Sequence, residues 1–243
     1  MLSWRPAGLI VTGIDQPQET RQLLKDARVP VVQIMDTDGD PIDACVGFSH
    51  TEAGHDIAAA LYETGLRRFG YVGRNLDKDL RAAKRKHGFQ GALRDHGVAI
   101  TDTIDGSDTD TIDGSDLVAD VTELSAVDCG RRMTADLLKR QPDIDCIYFS
   151  NDDLAFGGLC HCIAAGIDVP GDVALAGFNG LGIIEGFPGK IASSRTARKK
   201  IGEQAARMIL ETLENTTAEM DKLHILKPEI SLGELAASNN KID

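Results

Sequence analysis

An α/β fold built on mainly parallel sheets is the class this sequence predicts. Short apolar runs alternate with segments of helical period, the pattern of repeated strand–helix–strand units. Polar side chains stand where the apolar runs stop, as in Phe149-Ser150-Asn151-Asp152-Asp153 and Gly177-Phe178-Asn179. In open α/β sheets that is the end where ligands bind. A length of 243 residues, with 42% hydrophobic and 26% charged side chains, supports a sizeable core in one domain or two lobes.

The elements follow in order. Ala7–Gly13 carries Leu9-Ile10-Val11 and stops at a glycine, which reads as a strand. Gln18–Ala27 is helical, and Pro30–Asp36, with its Val31-Val32-Gln33-Ile34 run, is the next strand. Cys45–Ser49 is a strand that gives way to a helix over Thr51–Thr64, where Ser49 and Glu52 have the spacing of a capping box. Strand Phe69–Gly73 leads to helix Ala82–His96, and a further helix spans Ala126–Arg140. Strand Cys146–Ser150 precedes helix Asp153–Ala165, for which Asn151, Asp152 and Asp153 are all suitable N-caps. Strands Val173–Asn179 and Ile191–Ser194 come next. Helix Ala197–Leu213 then repeats Ile201, Ala205, Met208, Ile209 and Leu213 at helical spacing, a core-facing stripe. The final segment, His224–Leu232, reads as extended.

Charge and cysteine content narrow the function classes. A net charge of −12 makes the chain a poor nucleic-acid binder by itself, because DNA affinity comes mainly from Lys and Arg on phosphates. The apolar runs, such as Ala7 to Val11, are far too short to span a membrane, and no signal peptide is legible. Cytoplasmic residence is the resulting expectation. Cys45, Cys129, Cys146, Cys160 and Cys162 show no disulfide framework, and free thiols fit a reducing compartment. Cys160-His161-Cys162 suggests a metal, but residues two apart on a helix point to different faces, which favours packing. No metal and no cofactor are expected. Dinucleotide, Walker and nucleophile-elbow motifs are all missing, so an enzyme is not expected either.

Thr103-Ile104-Asp105-Gly106-Ser107-Asp108 is repeated as Thr111-Ile112-Asp113-Gly114-Ser115-Asp116. Asp102 to Asp128 holds nine acids and no Lys or Arg, without the register of an EF-hand loop. The expectation is a solvated surface loop made by duplication and dispensable for folding.

The run Asn151-Asp152-Asp153-Leu154-Ala155-Phe156-Gly157, with the later Val169-Pro170 and Gly177-Phe178-Asn179, resembles the signature of the LacI/GalR family of sugar-responsive repressors. The resemblance extends to Pro30-Val31-Val32, to Arg85-Lys86-His87-Gly88-Phe89 and to Ile191-Ala192-Ser193-Ser194-Arg195-Thr196. Pro41-Ile42-Asp43 followed by Val46-Gly47-Phe48-Ser49 looks most like the gluconate-operon repressors. The resemblance implies a two-lobed, type-I periplasmic-binding-protein-like fold with parallel sheets and a cleft between lobes. It implies an N-terminal lobe of residues 1–48 and about 193–224, and a C-terminal lobe of 49–192 and 225–243. The first strand looks like the family's third, so the N-terminal lobe is expected to be incomplete and the helix-turn-helix head absent. DNA is then reached only through that missing head. The implied role is sensing of a sugar or sugar-acid effector by a repressor, as a homodimer away from any membrane. A periplasmic sugar-binding protein of a transport system shares the fold and is the alternative.

The candidate ligand residues are Thr12, Asp36, Phe48, Arg81, Arg85, Asn151, Asn179, Thr196 and Arg198. Arg81 and Arg85 are four apart, which puts both guanidiniums on one side of a helix. Two such forks suit a carboxylate; a solvated basic face with Lys84 and Lys86 is the bland reading. By resemblance Arg85 contacts ligand hydroxyls. Asn151 offers two donors and an acceptor to a sugar, or caps the next helix. Asn179 stands where much of the family has Asp, and loss of that charge favours an anionic ligand. Thr12 and Asp36 end strands and match ligand-facing positions. Phe48 stacks on a sugar face or packs in the core. Thr196 and Arg198 lie where the chain recrosses between lobes, and Arg198 completes an anion site or makes a surface salt bridge.

Overall fold

The apolar runs pair into two sheets in the computed structural model of the chain, which describes residues 6–74, 76–98, 100–104, 125–214 and 221–238. The first half runs β1 (Leu9–Thr12), α1 (Gln18–Asp26), β2 (Val31–Ile34), β3 (Ala44–Gly47), α2 (His50–Glu63), β4 (Phe69–Val72), α3 (Leu80–Asp95) and β5 (Ile100–Ile104). The second half runs α4 (Ala126–Arg140), β6 (Cys146–Phe149), α5 (Asp152–Ala165), β7 (Ala174–Asn179), α6 (Gly182–Glu185) and β8 (Ile191–Arg195). It closes with α7 (Arg198–Glu214), β9 (Leu223–Ile225), β10 (Glu229–Ser231) and α8 (Leu235–Ser238).

Three differences from the sequence reading have physical reasons. β5 takes up Asp102, Thr103 and Ile104, which were expected in the acidic loop; as an edge strand bonded to β4, it shows no continuous apolar run. The remainder of the repeat, residues 105–124, lies outside the described residues. His224–Leu232 is not one strand but two, β9 and β10, which join different sheets on either side of Leu226-Lys227-Pro228. Pro228 has no N–H to donate, which suits a break between ladders. The short helices α6 and α8 carry too few residues for a periodic signal.

The chain divides into two units, Met1–His50 with Ala197–Pro228, and Thr51–Thr196 with Glu229–Asp243. The chain passes between the units after His50, Thr196 and Pro228. In unit 1 the strands lie in the order β1-β2-β3-β9, all parallel. Consecutive residues are buried along β2 and β3, as in a sheet covered on both faces. Ile201, Ala205 and Met208 of α7 are buried from the predicted stripe, whereas Leu213 at its end is exposed.

In unit 2 the order is β10-β8-β7-β6-β4-β5, parallel except for β10. Its two apolar clusters are the two faces of this sheet, separated by alternation along β4, β6, β7 and β8. Ile147, Phe149, Leu175 and Ile191 pack with Cys129, Met133 and Leu137 of α4 and with Leu154 and Leu159 of α5. Cys146, Tyr148, Ala174, Ala176 and Ala192 pack with Ile57 and Leu61 of α2 and Phe89 and Leu93 of α3. Each fully buried Phe or Leu contributes about 1.5–3 kcal/mol.

Both helix pairs cross through reciprocal glycines. A Cβ on Gly54 of α2 would run into the backbone carbonyl of Arg85, and one on Gly88 of α3 into that of Thr51. On the other face, a Cβ on Gly130 of α4 would strike the carbonyl of Leu154, and one on Gly157 of α5 that of Val127. Glycine lets each pair approach backbone to backbone.

Candidate ligand-binding site

The strand order of unit 2 places a topological switch point between β4 and β6. The chain leaves β4 through α3 to β5 on one side, then returns through α4 to β6 on the other. Crevices at the carboxyl ends of such strands are where open α/β sheets bind ligands. Helix α5 follows β6 after two residues and α3 is the next element after β4, so their N-termini and partial positive charge lie at this edge. Asp79 caps α3, its Oδ1 accepting from the Ala82 amide at 3.0 Å.

Arg85 is the central side chain here. It lies in the second turn of α3 and is 4% exposed. Its Nη2 donates to the Ser150 carbonyl at 2.7 Å, just past the end of β6. The guanidinium carbon lies 4.1 Å from the ring centroid of Phe178, near the end of β7. The aromatic face and the carbonyl hold the cation at the ends of two neighbouring strands. Tyr148, on the same face of β6, has its phenol pushed up to about 12 by burial, against the lowering pull of Arg85. Arg81 lies one turn closer to the helix start and is half-buried.

Asn151 is the N-cap of α5, its Oδ1 accepting from the Leu154 amide at 3.0 Å. The capping interaction occupies the oxygen, and the amide nitrogen carries the two donors that would meet a hydroxyl. Asn151→Ala is expected to lower stability by about 1 kcal/mol through loss of the cap. Asn151→Asp is expected to keep that stability in urea unfolding.

Asn179 ends β7 with φ of 113°, in the left-handed region that favours glycine. Its carbonyl accepts from the Thr196 amide and hydroxyl, both at 3.2 Å. Unit 2 therefore brings Arg81, Arg85, Asn151, Asn179 and Thr196 to one edge of its sheet.

In unit 1, Thr12, Asp36 and Phe48 stand at the carboxyl ends of β1, β2 and β3, and Arg198 opens α7. Thr12 and Arg198 are exposed. Asp36 is buried and follows Met35, whose φ is 73°. Its Oδ1 accepts from the Asp38 amide at 2.9 Å, an Asx-type turn. Phe48 has no exposed surface and meets the His50 ring edge-on, centroids 4.8 Å apart. That burial fits the core-packing one of its two readings. Cys162 is buried while Cys160 is half-buried, so the two thiols of the Cys-His-Cys run diverge.

Sequence reasoning missed Phe178 and Ser150 as the supports of Arg85, and it saw Asp152 only as a possible cap. Asp152 is fully buried: Oδ1 accepts from Ser193 Oγ and Oδ2 from the Leu181 amide, each at 2.7 Å. Burial pushes its carboxyl up, against the lowering pull of hydrogen bonds from Leu181, Ser193 and Gly180. The signal was there in Gly177, where a Cβ would run into the Asp152 carboxylate.

Comparison with known proteins adds three findings. Residues 58–234 match the periplasmic binding protein-like domain family. The HTH-type transcriptional regulator GntR of Pseudomonas aeruginosa is 33% identical over 209 residues, 86% of this chain and 56% of that protein. This chain thus spans little more than half the length of that curated relative. A solved LacI-family transcriptional regulator from Silicibacter pomeroyi matches with a TM-score of 0.84 and 41% identity, over 96% of this chain and 65% of that one.

Proposed function

The chain belongs to the periplasmic binding protein-like domain family, and from that premise we propose that it is the effector-binding part of a LacI-type transcriptional regulator and senses a gluconate-like sugar acid for a repressor of carbohydrate metabolism. The observation that carries the reading is Arg85: a buried guanidinium at the switch point, held by Ser150 and Phe178, with Arg81 one turn away. A planar fork in a dry site favours a carboxylate over a neutral sugar. Asn151, Asn179 and Thr196 supply the polar groups for hydroxyls, and Asn179 adds no charge to repel an acid. Within unit 1, Thr12, Asp36 and Arg198 are proposed as ligand residues at the carboxyl ends of its own strands and the start of α7.

The ligand shifts the protein between states only as far as its affinity for those states differs. DNA is bound by a head outside this chain, in a homodimer in the cytoplasm. The acidity of this chain argues against its reading DNA directly. The proposed role is binding and not turnover, with no metal or cofactor taking part. Among the described residues no helix is long and apolar enough to cross a membrane. A transport-type sugar-binding protein is less supported, because the relatives are named as transcriptional regulators.

Titration calorimetry with gluconate, glucose and ribose tests the ligand class. Gluconate is expected to bind tightest, and Asn179→Asp to weaken gluconate while sparing glucose. Tighter binding of a neutral sugar than of any acid overturns the sugar-acid reading.

A further inference from the structure

We infer that Asp152 is a positioning residue for the ligand: it holds the Gly180–Leu181 turn so that Asn179 and Thr196 are presented to the sugar acid. The inference rests on the ligand reading above. Asp152 stands beside Asn151 at the end of β6, yet its side chain points away from solvent and is fully buried. One oxygen accepts from the Leu181 amide and the other from the Ser193 hydroxyl, each at 2.7 Å. Ser193 Oγ in turn accepts from the Gly180 amide at 3.3 Å. A single carboxylate thus joins the start of α5, the turn after β7 and the body of β8. Short bonds to a charged acceptor are about twice as strong as neutral ones.

The turn needs such a hold. Asn179 sits at φ 113° and Gly180 at φ 67°, two successive left-handed residues. A strained residue persists only where its surroundings over-determine it. The Asn179 carbonyl is fixed from one side by Thr196. The two residues that follow are fixed from the other by the Asp152–Ser193 pair. Gly177 is part of the same device, because any side chain there would occupy the place of the Asp152 carboxylate. Helix capping does not account for this, since Asn151 already caps α5. Asp152 acts on the ligand through the turn and does not touch it.

The test combines two readouts on the whole protein. Calorimetry with gluconate compares the parent, Asp152→Asn, Ser193→Ala and Asn179→Ala. Amide hydrogen exchange is read at Gly180 and Leu181 without ligand. Asp152→Asn is expected to lose about tenfold or more in gluconate affinity, as for a lost charged hydrogen bond, and to speed exchange at Leu181 by a similar factor. In an Asn179→Ala background the same change is expected to cost less than about threefold, because the two residues act through one turn. Ser193→Ala, the milder variant, is expected to fall in between and serves if Asp152→Asn does not fold. Equal losses in both backgrounds, or parental affinity in the variants, overturn the inference. If the parent binds no sugar acid, the ligand reading fails first. Unchanged exchange at Leu181 in the variants would then still overturn the positioning role.

Discussion

Replacing Arg85 by alanine is expected to cost roughly 2–5 kcal/mol of gluconate binding, the range for truncating one member of a buried, hydrogen-bonded charge pair. The size follows from where the cation sits. It is buried on an aromatic ring and a carbonyl, so the site meets an anion without first having to order a flexible side chain. Arg85→Lys is expected to recover only part of the loss. An ammonium keeps the charge but cannot reproduce the planar fork or its stacking on Phe178. Calorimetry on the two variants reads both numbers. Binding by Arg85→Ala at parental affinity would remove this residue from the site.

The second large effect is expected in stability. Gly88→Ala should destabilise the protein by about 3 kcal/mol or more, beyond the usual cost of overpacking, because the added methyl meets backbone and not a movable side chain. Helix α2 would have to move away from α3, opening the cluster around Ile57, Leu61 and Phe89. Gly157→Ala should behave alike on the opposite face. Gly54→Ala carries an additional consequence, since the carbonyl it would strike belongs to Arg85. That variant is expected to lose gluconate affinity as well as thermal stability. Gly91→Ala, whose Cβ would meet nothing within 4 Å, is the control and should be neutral or slightly stabilising. Calorimetric melting of the four variants separates the cases.

The fold was largely legible in the sequence because strands β2, β3, β4, β6 and β7 are bounded apolar runs with polar residues at their ends. β5 was not, since an edge strand with threonines and an aspartate has no apolar signature. Arg85 and Asn179 stood out through spacing and resemblance. What supports them did not, because Arg85 meets Ser150 across 65 residues of sequence. For Asn151 the two readings use the same amide, and the sequence had no means of separating cap from ligand contact. For Phe48 an aromatic beside a strand end reads the same whether open or buried, and burial is set by tertiary packing. Gly54, Gly88, Gly130 and Gly157 carry no sequence motif that marks them as crossing points. Only the crossing of α2 with α3 and of α4 with α5 reveals that each is required.

The division of the last extended segment into β9 and β10 has a consequence for biosynthesis. Residues Leu223–Ile225 complete the edge of one sheet beside β3, and Glu229–Ser231 the edge of the other beside β8. Both strands come after β1 to β8 in the chain. Although β1, β2 and β3 emerge early, neither sheet acquires its final strand until the segment around Pro228 has left the ribosome. Until that segment emerges, the edge beside β3 and the edge beside β8 both stay unpaired, the kind of exposed edge that invites pairing with another chain.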